Sequence, residues 1–213
     1  MTKKERFEKV IDWFQEYMPV AETELDYNNP YELMVSVILS AQCTDKRVNV
    51  ITPPFFHEIP DLKGLANSTQ EKVFGLIKSC SYPNNKAKHL IAAAQKIMSD
   101  FGGVVPNDID ALQTIPGIGR KTASVILSVA YNKPAFAVDT HVFRVADRIG
   151  LSTNAKTPLA TELQLTKNIP MELWPIAHHW LILHGRYVCQ ARKPKCESCG
   201  LSIYCRSFQN QSE

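Results

Sequence analysis

The sequence predicts an all-α protein built from about ten helices, because apolar residues recur at spacings of three and four along most of the chain. Capping residues, prolines and glycines interrupt this pattern where helices are expected to begin and end. No segment alternates apolar and polar residues between hairpin signals. The chain has 213 residues, 45% hydrophobic and 21% charged. It can therefore bury a substantial core, and its composition excludes intrinsic disorder and coiled coil.

Four helices are predicted in the first half of the chain. The second has the clearest start, because Asn29, Pro30 and Glu32 supply a cap, a first-position proline and a first-turn acid. A capping-box pattern from Ser68 marks the start of the third helix. In order, the helices cover residues 7–18, 30 to about 42, 68 onward and 85–101, and both Cys43 and Cys80 are expected in apolar helical sequence.

Five helices are predicted in the second half. Asn107 is expected to cap a short helix to residue 115, and Asp139 to cap a helix to residue 149 that Gly150 ends. Between them, Pro116-Gly-Ile-Gly119 predicts a tight turn before a helix over 120–131. The last two helices cover 159–167 and 175–186. No linker composition marks a domain boundary.

The turn over residues 116–119 is the first candidate site. Gly117 and Gly119 allow a sharp turn and a close approach to a ligand, and the helix that follows presents N–H groups and a positive dipole end to an anion such as DNA phosphate. The same turn could simply reverse the chain between packed helices. Lys121 stands in the first turn of that helix, where the dipole opposes its charge. Both a nucleophilic amine and a phosphate-binding lysine fit this position.

Asp139 and His141 form a second candidate site. Asp139 fits the role of an N-cap, and its carboxylate could also stabilise a cationic sugar during glycosidic bond cleavage or help to move a proton. The two roles can coexist. His141 could contact phosphate or satisfy a backbone group. The six histidines have no regular ligand spacing, which argues against a histidine metal site.

A cysteine cluster near the C-terminus is the third candidate site. Four thiolates in so short a loop can surround one tetrahedral ion or a cubane cluster. Structural zinc usually uses two Cys-x2-Cys knuckles and this loop has one, so the spacing favours iron–sulfur over zinc, with disulfides the least favoured. The four residues are Cys189, Cys196, Cys199 and Cys205.

Positive charge is concentrated in the same loop. Residues 186–206 contain five basic residues and one acid, whereas the net charge of the whole chain is +3. Arg192, Lys193 and Lys195 lie between the first two cysteines of the cluster. A metal-stabilised basic loop of this kind is suited to contact phosphate.

Five ordered motifs show that the sequence resembles the endonuclease III family of helix-hairpin-helix DNA glycosylases, over essentially the whole chain. The family implies a two-lobed fold, with a six-helix lobe over 22–133 that contains the helix-hairpin-helix at about 108–131. The second lobe would comprise 1–21 and 134–213 with the cluster loop at 189–205, and DNA would bind between the lobes. The motifs are Leu39–Asp45, Ile115–Ala123, Val138–Arg144, His178–Arg186 and the four-cysteine loop.

The resemblance also implies a chemistry. It makes Lys121 the Schiff-base lysine, Asp139 the catalytic aspartate and the four cysteines the ligands of a 4Fe-4S cluster. The implied enzyme is bifunctional: an N-glycosylase for oxidised or ring-saturated pyrimidines and an AP lyase that cuts 3′ to abasic sites by β-elimination. The expected DNA-contact residues are Gln42, Tyr82, Gly117, Ile118, Gly119, Arg120, His141, Arg192, Lys193 and Lys195.

One segment departs from the family pattern. Cys80-Ser-Tyr-Pro-Asn-Asn85 stands where the family has a Gly-Leu/Phe-Tyr run that supplies an apolar wedge. Tyr82 is expected to act as this wedge by stacking on a base. Gln42 matches the family residue that fills the space left by the extruded base.

Two other functions are compatible with parts of the sequence. An adenine-mismatch glycosylase of the same superfamily normally lacks the lysine found here at position 121. A non-catalytic helix-hairpin-helix DNA-binding module with a structural metal would share the motifs but would form no covalent bond to DNA. The N-terminal segment has no signal-peptide pattern and no stretch resembles a membrane span. We therefore expect a cytoplasmic monomer, nucleoid-associated in a bacterium, that acts on double-stranded DNA with a damaged base or abasic site.

Overall fold

The computed structural model describes residues 1–210, and within them twelve α-helices and three 3-10 turns make up the secondary structure, with no strand. This confirms the all-α prediction. Among these residues, no helix combines the length and apolar character needed to cross a membrane. The helices are α1 Lys3–Tyr17, α2 Pro30–Ser40, α3 Asp45–Glu58, α4 Leu62–Ala66, α5 Gln70–Ile77, α6 Pro83–Asp100, α7 Ile109–Gln113, α8 Arg120–Tyr131, α9 Thr140–Ile149, α10 Pro158–Thr166, α11 Trp174–Tyr187 and α12 Arg206–Gln209.

The chain forms two compact units. The internal unit is Glu24–Asn132, and the terminal unit combines Met1–Thr23 with the chain from Lys133 onward. In the internal unit, α2 is buried over nearly all of its length and packs against α3, α6 and α8. A helix that is apolar on all sides is suited to the centre of a helical layer. Around it, α6 also packs against α4 and α5, while α7 packs against α8.

The core of the terminal unit is aromatic. Phe14 of α1 stacks on Trp180 of α11, with ring centroids 5.4 Å apart and an interplanar angle of 3°. α11 packs in turn against α9. At Gly200, an added Cβ would lie 2.5 Å from Nε1 of Trp13. Only glycine therefore lets the cysteine loop approach α1 this closely.

Two helix caps differ from the predictions by one residue. The cap of α5 is Thr69 and not Ser68, and the cap of α7 is Asp108 and not Asn107. Asp108 accepts hydrogen bonds from two first-turn N–H groups. In each pair both residues are good caps, so only the three-dimensional course of the chain selects one of them.

Other differences concern helices and cysteines in the internal unit. α3 and α4 were not predicted. Pro53 and Pro54 lie inside α3, and a proline normally interrupts a helix, while α4 has only five residues. Burial of Val48 and three further residues of α3 offsets this cost. α2 ends at Ser40 and α6 starts at Pro83, since that proline takes the first helical position. The helical placement of Cys43 and Cys80 was wrong: both lie in connections, after α2 and after α5.

Replacing Phe14 should destabilise the terminal unit. Its side chain is 1% exposed, and Phe14→Ala should lower the free energy of unfolding by about 3–5 kcal/mol through lost burial and a residual cavity. All three tryptophans belong to this unit, so fluorescence during chemical denaturation reports on it specifically. Tyr17→Ala is the control, because Tyr17 is 63% exposed on the same helix. Equal losses for the two variants would contradict the assigned core.

Candidate active site and cysteine cluster

The hairpin between α7 and α8 presents an uncapped helix start. Gly117 has φ +81°, and a Cβ there would lie 3.0 Å from Cβ of His89, so both backbone angle and space favour glycine. Ile118 is buried and its N–H donates to the carbonyl of Ile115 at 3.0 Å. Gly119 is the N-cap of α8 and supplies no side-chain hydrogen bond. The turn thus exposes backbone on one side and is held by a buried apolar residue on the other.

Lys121 is the second residue of α8 and is exposed, as is its neighbour Arg120. The rest of α8 is well packed, because Ala123–Ser128 are buried and the helix contacts α2 and α7. The lysine therefore extends from a rigid element, directly beside the glycine turn. An amine in this position is available to a bound ligand.

Asp139 caps α9 in the terminal unit. Its Oδ1 accepts a hydrogen bond from the N–H of Val142 at 2.8 Å, and the residue is half-buried. The buried segment Ala135–Val138 leads into it and fixes its position. The cap engages one carboxylate oxygen and holds the group at a defined point of the surface.

His141 lies in the first turn of the same helix and contacts Arg144. The Nη2 of Arg144 lies 3.2 Å from Nδ1 of His141. Since a guanidinium only donates, Nδ1 is the acceptor and a neutral His141 carries its proton on Nε2. The same nitrogen of Arg144 donates to the carbonyls of Gly185 at 2.9 Å and Cys189 at 3.1 Å. Arg144 therefore joins the helix of Asp139 to the start of the cysteine loop.

The four C-terminal cysteines line one cavity, together with apolar residues from α9, α12 and the loop itself. All four are half-buried. Burial raises the pKa of the Cys199 and Cys205 thiols, and the other cysteines of the loop raise it further. Side chains of two neighbouring helices approach the sulfurs: Nη1 of Arg148 on α9 lies 3.6 Å from Sγ of Cys189, and Nε2 of His184 on α11 lies 3.6 Å from Sγ of Cys199.

His184 is a buried, neutral residue of this cavity. Burial lowers the pKa of its imidazole to about 4, and its Nδ1 makes no hydrogen bond among the described residues. A proton on Nε2 leaves Nδ1 as a bare acceptor and directs the N–H toward Cys199. This arrangement suits a thiolate that ligates a metal, because metal-bound sulfurs commonly accept hydrogen bonds from neighbouring groups.

A single metal ion and a cluster place different demands on the four cysteines. Within residues 1–210, no group of three or more His, Cys, Asp or Glu side chains is close enough to hold one metal ion. A tetrahedral zinc site requires four ligands at about 2.0–2.3 Å from one centre. The four thiols line a common cavity, and four thiolates are the usual ligand set of an iron–sulfur cluster.

The basic part of the loop is exposed and anchored from one side. Arg192, Lys193 and Lys195 are all exposed. Arg148 donates to the carbonyls of Gln190 at 2.7 Å and Ala191 at 3.1 Å. The backbone is therefore held from α9 while the cationic side chains face solvent.

Gln42 and Tyr82 lie in two connections that the internal unit brings together. The Oγ of Ser81 donates to the carbonyl of Gln42 at 2.6 Å. Both Gln42 and Tyr82 are exposed and both have φ +54°. For residues with a Cβ, this left-handed conformation costs about 1–2 kcal/mol each.

Left-handed residues coincide with the expected DNA contacts. Five non-glycine residues have positive φ among those described, and two of them are asparagines, which adopt this conformation readily. The other three are Gln42, Tyr82 and Lys193. Since strained backbone concentrates at functional sites, this coincidence favours a functional role for all three.

Sequence reasoning missed the residues that hold these loops, namely Ser81, Lys86, Arg144, Arg148 and His184. Lys86 could have been noticed, because it falls on the apolar face of α6 at helical spacing from Leu90 and Ala93. Arg144 and Arg148 contact carbonyls more than forty residues away in sequence. No local pattern indicates such contacts.

Known proteins are similar to this protein over nearly its whole chain. The family model described as "HhH-GPD superfamily base excision DNA repair protein" matches residues 35–171. Endonuclease III of Rickettsia conorii is 44% identical over 202 residues, covering 95% of this chain and 96% of the relative. Endonuclease III of Bacillus subtilis is 41% identical over 213 residues, covering 100% and 97%.

The fold is similar to that of a solved complex, described as a trapped endonuclease III–DNA covalent intermediate with an estranged adenine. The TM-score is 0.94 at 38% sequence identity, and all of both chains is covered. Family profile, sequence and fold agree, and the chain therefore belongs to the endonuclease III family within the HhH-GPD superfamily of base excision DNA repair proteins.

Proposed function

We propose that this protein excises oxidised or ring-saturated pyrimidines from double-stranded DNA and cuts the strand 3′ to the resulting abasic site through a Schiff base on Lys121. As a member of the endonuclease III family it is a base-excision DNA glycosylase and AP lyase. The observation that carries the residue assignment is the exposed Lys121 on a rigid helix beside the glycine turn. The similar structure with a covalent enzyme–DNA bond supports covalent chemistry.

The reaction begins with extrusion of the damaged nucleotide, which costs a few kcal/mol and is easiest for a poorly paired base. The neutral amine of Lys121 then bonds to C1′ as the glycosidic bond breaks, and that bond's electron pair leaves with the base, which takes up a proton. Loss of one amine proton, followed by opening of the sugar ring as O4′ takes up a proton, gives an iminium that keeps one N–H. Removal of a C2′ proton from the iminium expels the 3′ phosphate, and water later releases the lysine.

Asp139 is proposed to stabilise positive charge on the sugar. Its carboxylate is held by the cap bond to Val142 and by the buried segment before it, so it need not reorganise when charge develops. The same bond stabilises α9. The structural and catalytic roles therefore rest on one side chain.

Backbone and cationic groups are proposed to bind the DNA phosphates. The exposed turn can accept a phosphate at the start of α8, and the basic loop adds charge whose contribution falls as salt concentration rises. Gln42 and Tyr82 are proposed to enter the duplex. The proposed contacts are Gln42, Tyr82, Gly117, Ile118, Gly119, Arg120, His141, Arg192, Lys193 and Lys195.

Cys189, Cys196, Cys199 and Cys205 are proposed to hold a 4Fe-4S cluster. The cluster would supply a rigid, covalently held centre to a loop that lacks long helices, and Lys121 and Asp139 need no metal for their steps. The two compact units support the two-lobed arrangement expected for the family. We further propose that the protein acts as a monomer, in the cytoplasm and at the nucleoid of a bacterial cell.

Removing the amine should abolish covalent capture. Wild-type protein should be trapped by borohydride on abasic DNA, and Lys121→Ala should lose both trapping and strand cleavage while it retains DNA binding, measured by fluorescence anisotropy. Lys63→Ala is the matched control, since Lys63 is exposed on α4 of the same unit. Cleavage that survives in Lys121→Ala would refute the role of the lysine, and an untrappable wild type would favour a non-catalytic DNA-binding module.

The Asp139→Asn substitution should remove the negative charge of the side chain while keeping its hydrogen bond to the start of α9. Asparagine caps a helix as well as aspartate does, so Asp139→Asn should keep the melting temperature while base excision slows roughly 100-fold or more. Asp139→Ala should lose activity and about 1 kcal/mol of stability. Single-turnover excision and thermal melting measure the two effects. Full activity in the asparagine variant would show that the charge is not required.

The purified protein should be yellow-brown, with a broad absorbance band at about 400 nm and iron as the bound metal. Cys199→Ser should lose this band, because it removes a proposed ligand. Cys43→Ser is the matched control and should keep it, since Cys43 lies in the connection after α2. Colourless protein with stoichiometric zinc would overturn the cluster assignment.

A further inference from the structure

Lys86 is a buried cation that the proposed chemistry does not use. It lies in the first turn of α6 and is only 6% exposed. The dipole of its own helix opposes a positive charge at this end. Burial of an ammonium is costly unless hydrogen bonds replace those it made to water. The groups around Lys86 must therefore supply such hydrogen bonds.

The ammonium of Lys86 binds the end of another helix. Its Nζ donates to the carbonyl of Leu39 at 2.8 Å and to that of Ala41, the C-cap of α2, at 2.7 Å. The last carbonyls of a helix have no partner within it, and a cation is favourable at this end of the dipole. Lys86 thus stabilises the C-terminus of α2 from the N-terminus of α6.

Two further acceptors join the same ammonium to the connection before α6. They are Sγ of Cys80 at 3.1 Å and Oγ of Ser81 at 3.3 Å. Burial raises the pKa of the Cys80 thiol, so this partner is a neutral thiol. The thiol in turn lies 3.3 Å from the carbonyl of Leu39.

Lys86 thus holds Ala41 and Ser81, and each of them precedes an exposed residue with a left-handed backbone. Gln42 follows Ala41, and Tyr82 follows Ser81 and accepts at its carbonyl from the backbone N–H of Lys86 at 3.1 Å. Tyr82 is the N-cap of α6 and is 62% exposed, and its side chain makes no cap hydrogen bond. The strained conformations therefore depend on contacts behind them.

We propose that Lys86 is a positioning residue for lesion recognition: its ammonium locks the end of α2 to the start of α6 and so holds Gln42 and Tyr82 in the conformations in which they enter the duplex. The inference rests on the proposed function. Because the loops are ordered in advance, base extrusion does not have to include their ordering. Because Lys86 is buried and its Nζ contacts only groups of the protein, its proposed action is indirect, through Gln42 and Tyr82.

Lys86→Met should impair duplex substrates selectively. The variant keeps the length of the side chain and removes its charge and donors. Single-turnover excision of a damaged pyrimidine from duplex DNA should slow roughly 10- to 100-fold, the loss typical of misplaced positioning groups. Cleavage of a single-stranded abasic oligonucleotide should stay close to wild type, because it requires no extrusion. 2-Aminopurine beside the lesion should show a smaller fluorescence rise on binding.

Two further variants isolate the effect. Lys96→Met removes a charge from the same helix away from this contact network and should leave both substrates unaffected. Ser81→Ala removes only the hydroxyl that bonds Gln42, so it should show the same selectivity to a smaller extent. If thermal melting shows that Lys86→Met does not fold, Ser81→Ala tests the positioning role in its place.

The outcomes separate this inference from the proposed function. If the duplex and single-strand rates fall together in folded Lys86→Met, or neither falls, the positioning role is wrong while wild-type trapping through Lys121 still stands. If Lys86→Met does not fold and Ser81→Ala lacks the selectivity, the role is equally refuted. A wild type that forms no covalent product on either substrate would instead refute the proposed function.

Discussion

The backbone groups left unpaired at helix ends are the physical constraint on which this structure depends. Every helix begins with N–H groups and ends with carbonyls that lack partners within the helix. Most ends here follow ordinary solutions, such as the Asn29 side chain at the start of α2. Three further helix ends involve residues of the proposed site or of its supporting contacts. Gly119 leaves the start of α8 without a side-chain cap, Asp139 caps α9 with a charge, and Lys86 supplies a cation to the end of α2.

The cysteine loop follows the same constraint on a larger scale. Beyond α11 the chain has only 3-10 turns and one short helix among the described residues, so many carbonyls there lack regular partners. Arg144 and Arg148, one turn apart on α9, donate to the carbonyls of the three consecutive residues Cys189–Ala191. A guanidinium suits this task because it offers five donors in a fixed plane. The helix that begins at Asp139 thereby also anchors the first cysteine.

Local signals predicted much of this structure from sequence. The helix-hairpin-helix, the Asp139 cap and the Gly150 stop depend on residues close together in the chain, and the structure confirms each of them as elements. The α3 helix was missed for the opposite reason: its two prolines are locally unfavourable, and only burial against the rest of the unit offsets them. Contacts of Lys86 and Arg148 join distant segments, and periodicity or capping patterns do not contain that information.

The residues with a left-handed backbone show most clearly the difference between local sequence signals and contacts from distant segments. Glutamine, tyrosine and lysine have no preference for positive φ, so no sequence pattern indicates Gln42, Tyr82 or Lys193 as strained. Yet all three were among the residues expected to meet DNA. Strain of this kind persists only where surrounding contacts over-determine the backbone. Ser81 and Lys86 supply such contacts around Gln42 and Tyr82, while the N–H of Lys195, bonded to the carbonyl of Val188, closes the backbone around Lys193. The buried hydrogen bonds of this protein therefore determine how these exposed side chains are presented, and the residues' own backbone preferences do not.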